Sequence, residues 1–177
     1  GNDSIVNGEG TDIIKFSTEQ ELTYIKNNDS DDLIINYGNN DSITLQNYFA
    51  NNSHAIATII NGEDTLTIAD EIANALNIIG TDETDSIVGT GGNDIIFGYG
   101  GNDTINAGQG NDSIVGGAGN NIYEFSVGDG NDTIVNGEGN DKIKFTTNVP
   151  ITFTQNENDL IINYGENIST LPKPEPS

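Results

Sequence analysis

Four aspartates, Asp85, Asp94, Asp103 and Asp112, follow one another in steps of nine residues. The next position in register holds Asn121, and the series resumes at Asp132 and Asp141 after a two-residue insertion in YEFSVGDGND. Carboxylates repeated this way repel one another and hold together only if a cation lies between them. The donors on offer are carboxylate oxygens and backbone carbonyls, all hard oxygens. That set suits calcium, which takes six to eight oxygens at about 2.3–2.6 Å. Zinc and copper want nitrogen or sulfur, and the chain has one His and no Cys. Magnesium fits less well because it keeps its waters and demands octahedral geometry.

The elements that position these carboxylates are legible in the unit GYGGNDTIN at 98–106. Its first six residues are glycine-rich and turn tightly. Its last three form a very short strand with one side chain inward. An apolar residue stands two places after each anchor: Ile87, Ile96, Ile105, Ile114, Tyr123, Ile134 and Ile143. Two units make one coil of eighteen residues, which puts Asp85 below Asp103 and Asp94 below Asp112.

The chain has 177 residues and a formal net charge of -23, from 28 acidic residues against five lysines. Nucleic acid needs a basic surface and is excluded as a partner. An anionic membrane surface is excluded for the same reason. Apolar content is 33%, low for a globular core, so the chain without calcium is expected to be disordered. With no Cys there is no disulfide and no thiolate metal site. No apolar run reaches the roughly 20 residues of a membrane span. The chain opens at GNDSIV with neither Met nor signal peptide, and reads as a fragment cut within a repeat.

A longer repeat overlies the short one. GNDSIVNGEGTDIIKF at 1–16 matches GNDTIVNGEGNDKIKF at 130–145, and DLIINYG recurs at 32–38 and 159–165. The division is then the end of a first array (1–15), a cap or linker module (16–78), a second array (79–145), the start of a second cap (146–171) and a Pro-rich tail (172–177). Within the cap, LTYIKNN, DDLIINYG and DSITLQNYF read as strands, and HAIATIINGEDTLT as a hairpin turning at Asn61-Gly62. IADEIANALNI reads as a short helix over 68–78.

The tandem G-G-x-G-x-D-x-U-x pattern resembles the RTX, or haemolysin-type calcium-binding, repeat family over 1–14 and 80–145. The resemblance implies an all-β fold: a parallel β-roll, a right-handed β-solenoid, with a β-rich capping region and one short helix. It also implies several calcium ions, each between two stacked turns. One turn gives its Asp with the carbonyls two and four places before it. The stacked turn gives its Asp with the carbonyls three and five places before it. Carried over, one site uses Thr90, Gly92 and Asp94 with Ala107, Gln109 and Asp112. Another uses Thr81, Glu83 and Asp85 with Gly98, Gly100 and Asp103. A third uses Tyr99, Gly101 and Asp103 with Gly116, Ala118 and Asn121. A fourth joins Gly108, Gly110 and Asp112 to the turn of Gly128, Asp129, Gly130 and Asp132. Asn136, Glu138 and Asp141 close the array, and Asp3, Gly8, Gly10 and Asp12 are their counterparts at the amino end.

Departures from the pattern set further expectations. Asn121 removes a charge and weakens its sites. Asp82 and Glu83 stand where glycines are usual, which distorts that turn. The twenty residues from Asp112 to Asp132 demand a longer or bulged coil. Asp32 is expected to complete the sites of Asp3 and Asp12, and Asp159 to do the same for Asp132 or Asp141. Tyr123, Phe125 and Phe145 form an apolar plug that closes the roll, and Phe97 faces outward. Asp31, Asp41, Asp64, Asp70 and Glu71 fall outside the register and read as solvated surface or caps. His54, the only His, reads as a surface residue; with no GxSxG, HExxH or Ser-His-Asp arrangement, the chain is not expected to be an enzyme.

The functional reading is a calcium-dependent folding module of a larger secreted bacterial protein, exported unfolded through a type I secretion apparatus and folded by extracellular calcium. The alternative is an extracellular adhesin or surface-layer module that contacts a glycan or cell-surface ligand. A parent protease or lipase with its catalytic domain upstream is a third option.

Overall fold

The computed structural model describes residues 2–6, 12–38, 40–50, 56–135, 137–146, 148–156, 159–165 and 167–171. His54, Gly8, Gly10, Asn136 and the 172–177 tail, all singled out from the sequence, lie outside them. The chain opens with β1 (Asn2–Val6) and β2 (Asp12–Phe16). A meander follows: β3 (Leu22–Asn27), β4 (Leu33–Tyr37) and β5 (Asp41–Gln46), all antiparallel. Next come the hairpin β6 (Ile56–Asn61) and β7 (Asp64–Thr67), which turns at Gly62-Glu63, and the helix α1 (Ile68–Asn74).

The roll begins at β8 (Asn77–Ile79) and alternates between two faces: β9 (Ser86–Val88), β10 (Ile95–Phe97), β11 (Thr104–Asn106), β12 (Ser113–Val115), β13 (Ile122–Phe125), β14 (Asn131–Val135) and β15 (Lys142–Phe145). Even-numbered strands pair in parallel on one face and odd-numbered strands on the other. The register brings each isoleucine over the one a coil away. Ile78, Ile96, Ile114 and Ile134 form one ladder; Ile87, Ile105, Tyr123 and Ile143 form the other. A three-residue strand points its middle side chain inward. Ile78, Ile87, Ile96, Ile105, Ile114 and Ile134 are accordingly buried, each burial contributing about 1.5–3 kcal/mol. The all-β, parallel β-roll expectation holds.

The sequence pattern predicts a helix to residue 78, but α1 ends at Asn74. Asn77–Ile79 is taken as a strand between β3 and β10, so parallel pairing on both edges overrides the helical spacing. A second meander, β16 (Ile151–Asn156), β17 (Asp159–Tyr164) and β18 (Asn167–Leu171), closes the other end. Its β18 pairs in parallel with β14, as β5 does with β1. The sequence duplication is therefore a duplication of structure. β1, β3, β4 and β5 recur as β14, β16, β17 and β18 in one eleven-stranded sheet, ordered β1-β5-β4-β3-β8-β10-β12-β14-β18-β17-β16. β2 and β15 are the exception, for β15 pairs with β13 inside the roll whereas β2 pairs with β6.

Candidate metal centre

The carboxylates stand where the turns end, one residue before each strand except at Asp132, the second residue of β14, and pairing of the strands stacks them. Two columns result. The amide of Asp94 donates to Asp112 Oδ1 at 2.7 Å, that of Asp112 to Asp132 Oδ1 at 3.0 Å, and that of Leu76 to Asp94 Oδ1 at 3.0 Å. In the other column Asp85 donates to Asp103 Oδ1 at 2.9 Å, Asp103 to Asn121 Oδ1 at 2.9 Å and Asn121 to Asp141 Oδ1 at 2.6 Å. Asp94, Asp103, Asp112, Asn121, Asp129 and Asp132 are all buried.

One oxygen of each carboxylate is thus spent on holding the coil below. The second oxygen meets a different fate along the columns. At the entry turns it is satisfied by threonine: the Thr81 amide and hydroxyl reach Asp85 Oδ2 at 2.7 and 3.0 Å. Thr90 does the same for Asp94 Oδ2 at 2.6 and 2.9 Å. Further on, Asp103 Oδ2, Asp112 Oδ2 and Asp141 Oδ2 are buried with no hydrogen-bond partner, as is the Asn121 side-chain nitrogen. At Asp132 the hydroxyl of Tyr164 lies 3.4 Å from Oδ2.

Backbone carbonyls point into the same gaps. A methyl group on Gly108 or Gly110 would run into the carbonyl oxygens of Thr90 or Gly92 below, and one on Gly89 would run into that of Ala107 above. Gly101 meets the Glu83 carbonyl in the same way, Gly117 that of Tyr99, Gly119 that of Gly101, and Gly98 that of Gly116. Gly130 is seated against the Gly110 carbonyl, whereas Gly128 has open space beside it, which is where the longer coil bulges. The Thr81 carbonyl accepts from Gly100, and the Tyr99 carbonyl from Ala118. Among the described residues no three acidic or imidazole side chains converge on one point. Carbonyl and carboxylate oxygens instead share the space beside single glycines, Ala107 O with Asp94 Oδ2 at Gly89 and Gly116 O with Asp103 Oδ2 at Gly98, a hard-oxygen set that fits calcium.

The electrostatics are those of a column waiting for positive charge. Burial pushes the Asp112 carboxyl up to about 7, and the charges of Asp132, Asp94 and Asp129 add to this against the opposing hydrogen bond from Asp94. Burial likewise lifts Asp132 to about 6 and raises Asp94, Asp103 and Asp129. A buried carboxylate without a partner shifts toward its neutral form.

Other residues fall elsewhere. Asp32 is turned to its own cap, where Oδ1 accepts from the Asn47 amide at 2.7 Å. Asp159 opens β17 opposite Asn156. Asp3 pairs in register with Ile43, and Asp12 with Ile56. Glu138 is exposed, and its carbonyl accepts from Gly119. Asp129 Oδ2 takes the Ser126 amide at 2.5 Å and so pins the bulged turn. Phe97 is half-buried and stacks on the exposed Tyr99 at 6.2 Å. Asp70 and Glu71 fall in the first turn of α1.

Sequence reasoning missed two contributors. The first is the asparagine before Asp94, Asp103, Asp112, Asn121, Asp132 and Asp141, which runs a ladder in the reverse sense. Asn93 Oδ1 accepts from the Asn111 amide at 2.7 Å, Asn102 from Asn120 at 2.8 Å, Asn111 from Asn131 at 2.9 Å and Asn120 from Asn140 at 2.8 Å. Its signal in the sequence is the Asn that recurs in the same register, one place before these positions. The second is Tyr164, which completes the aromatic plug. Its ring lies 4.8 Å from Phe145 and 5.9 Å from Phe125, and its hydroxyl reaches the end of the Asp112 column.

Residues 79–114, 100–128 and 110–143 match the family model of the RTX calcium-binding nonapeptide repeat (4 copies). Residues 32–60 match that of the haemolysin-type calcium binding protein related domain. Residues 79–143 thus carry RTX calcium-binding nonapeptide repeats, and calcium is the ion such repeats bind. No curated protein matches it. Among solved structures it is similar to the extracellular lipase LipA from Serratia marcescens, at 20% identity and a TM-score of 0.35, over 99% of this chain and 32% of the lipase. The chain thus spans about a third of that enzyme's length.

Proposed function

We propose that calcium is the folding switch of this chain and that each ion lies between two stacked turns. Thr90, Gly92 and Asp94 would hold one ion with Ala107, Gln109 and Asp112. Thr81, Glu83 and Asp85 would hold another with Gly98, Gly100 and Asp103. A third would lie between Tyr99, Gly101 and Asp103 and Gly116, Ala118 and Asn121. A fourth would lie between Gly108, Gly110 and Asp112 and the Gly128–Asp132 turn. The observation that carries this is the set of buried, partnerless oxygens on Asp103, Asp112 and Asp141. Leaving such a group unsatisfied costs about 1–3 kcal/mol, more when charged. A cation removes that cost and the repulsion within the column together. Because the turns cannot hold their shape against their own charge, binding and folding are one event.

The setting this serves is outside the cell. Sites in the weak extracellular class, with Kd of about 10⁻⁴–10⁻³ M, stay empty where free calcium is scarce and fill where it is plentiful. A chain of net charge -23 without Cys suits passage as an unfolded polymer through a type I secretion apparatus. Its role is then to order, and to give stability to, a larger secreted protein, with no catalysis of its own. The test is a calcium titration followed by far-UV circular dichroism, with magnesium as control. A cooperative gain of β signal with calcium alone is expected. An unchanged β spectrum in chelator would end the switch reading.

A further inference from the structure

The duplication provides an internal control for what covers the cap. Pairing registers make Leu22, Tyr24 and Leu33 of the first meander the counterparts of Ile151, Phe153 and Leu160 of the second. Tyr24 faces Ile35 as Phe153 faces Ile162, and Leu22 faces Tyr37 as Ile151 faces Tyr164. The strands are alike, yet the exposures are opposite. Tyr24 is 6% and Leu33 0% exposed, whereas Phe153 is 64% and Leu160 40% exposed. Three large apolar side chains on one sheet face, with Ile151 at 37%, form the kind of patch that marks an interaction surface.

What buries the first set is known from the same chain. β8 pairs in parallel along the outer edge of β3, setting Ile25, Lys26 and Asn27 against Asn77, Ile78 and Ile79. Tyr24 lines a recess with Glu71 and Ala75 of the helix end, and with Asn77 and Ile95. Ile68, Leu76 and Ile78, all buried, belong to the same core cluster as Tyr24 and Leu33. β16 is the terminal strand of the eleven-stranded order, in the place that β3 holds before β8 joins it. Among the described residues no strand pairs with the outer side of β16, and such an edge beside an apolar face is a template for strand addition.

We infer that the β16 edge, with the face of Ile151, Phe153 and Leu160, is a docking site for the entry segment of a further nonapeptide roll joined in cis, a helix and strand with the character of residues 68–79. The added strand continues the sheet in parallel, its apolar residue in the place of Ile78 lies against Gln155 as Ile78 lies against Lys26, and the residue in the place of Leu76 covers Phe153. Each meander is then a splice between two rolls. It ends one through β18 on β14 and starts the next from β16, as the first meander links β1 to β8.

The test extends the full chain after Leu171 with a second copy of residues 47–115 and follows hydrogen exchange of 151–156 in saturating calcium. Exchange in β14 reports independently that the roll has folded, so failure of the calcium reading is visible on its own. Exchange in β16 should slow by about tenfold or more in the extended chain. It should return to the unextended rate when the appended copy carries Leu76→Asp and Ile78→Asp. Unchanged β16 exchange, whether or not the appended copy becomes ordered, overturns the inference. So does β16 protection in the unextended chain that grows with protein concentration, which would assign the edge to a second copy.

Discussion

Asp94 and Asp112 repel each other as charges and are tied together by a 2.7 Å hydrogen bond from the amide of one to the carboxylate of the other. The bond fixes the distance between coils, and the fixed distance keeps the carboxylates close enough for each to raise the other's burden of charge. Asp94 is among the groups that push Asp112 up. Stacking and repulsion are thus built from the same two residues, and the sign of the balance depends on whether a cation is present.

Asp112→Asn separates the two effects. The amide keeps an oxygen where Oδ1 accepts from Asp94 but removes the charge. In chelator the variant should keep more β signal than the parent, because a buried unpaired charge is gone. In calcium it should be less stable, with an apparent affinity lower by about tenfold or more. Far-UV circular dichroism in chelator and across a calcium titration measures each side. A variant weaker than the parent in chelator as well would mean that the column is not charge-frustrated.

Acid should stand in part for calcium. The folded-state carboxyls of Asp112 and Asp132 titrate near 7 and 6, above the ordinary value of about 3.9 in the unfolded chain. The native state therefore binds more protons than the unfolded state between those values, and stability falls as pH rises through that window. In chelator, lowering the pH from about 7 toward 4 should raise the β signal. In calcium the same change should lower the apparent affinity, since protons and the ion compete for the same oxygens. Far-UV circular dichroism at several pH values, in chelator and across a calcium titration, reads both trends, and a metal-free β signal that falls on acidification contradicts the expected sign.

How much of this was legible follows from how local each feature is. The two isoleucine ladders and both carboxylate columns rest on a repeat that every coil restates, so the eighteen-residue period alone places Ile105 over Ile87 and Asp103 over Asp85. Tyr164 touching Asp132 is a contact across 32 residues that occurs once, and no period announces it. The end of α1 is hidden for a related reason. Leu76 continues the four-residue spacing of Ile68 and Ile72, and only the edges of β3 and β10 decide that Asn77–Ile79 leaves the helix. Asp32 was drawn toward the amino-terminal sites by its charge, while the geometry of the 30–32 turn and Asn47 claims it.

Gly110→Ala probes the carbonyl half of the site without touching a charge. Gly110 has φ of 129°, in the region that disfavours any side chain, and a methyl there would strike the Gly92 carbonyl oxygen. The strain of the backbone alone is of order 1–3 kcal/mol. Displacement of the carbonyl should add loss of the neighbouring ion, so the calcium midpoint should move up while the metal-free spectrum stays that of the parent. Gly91→Ala is the matched control, because Gly91 has open space beside it. Equal midpoints for the two variants would show that the Gly92 carbonyl does not matter to binding.

Tyr164 joins the second cap to the last carboxylate of its column, and its ring and its hydroxyl can be removed separately. Tyr164→Phe keeps the packing against Phe145 and Phe125 and deletes the group 3.4 Å from Asp132 Oδ2. It should cost about 1 kcal/mol in calcium, the worth of one hydrogen bond. Tyr164→Ala also opens the fully buried plug and should cost about 3–5 kcal/mol. The two also differ in where the loss is felt. The Phe variant should shift the calcium response of the Asp132 end alone, readable as a change in exchange of β14 with β10 unaltered. The Ala variant should loosen β16, β17 and β18 together, because the sheet face they share loses its anchor on the roll. If the Ala variant leaves exchange in β17 as slow as in the parent, the cap is held by its strand pairing to β14 and not by the aromatic plug.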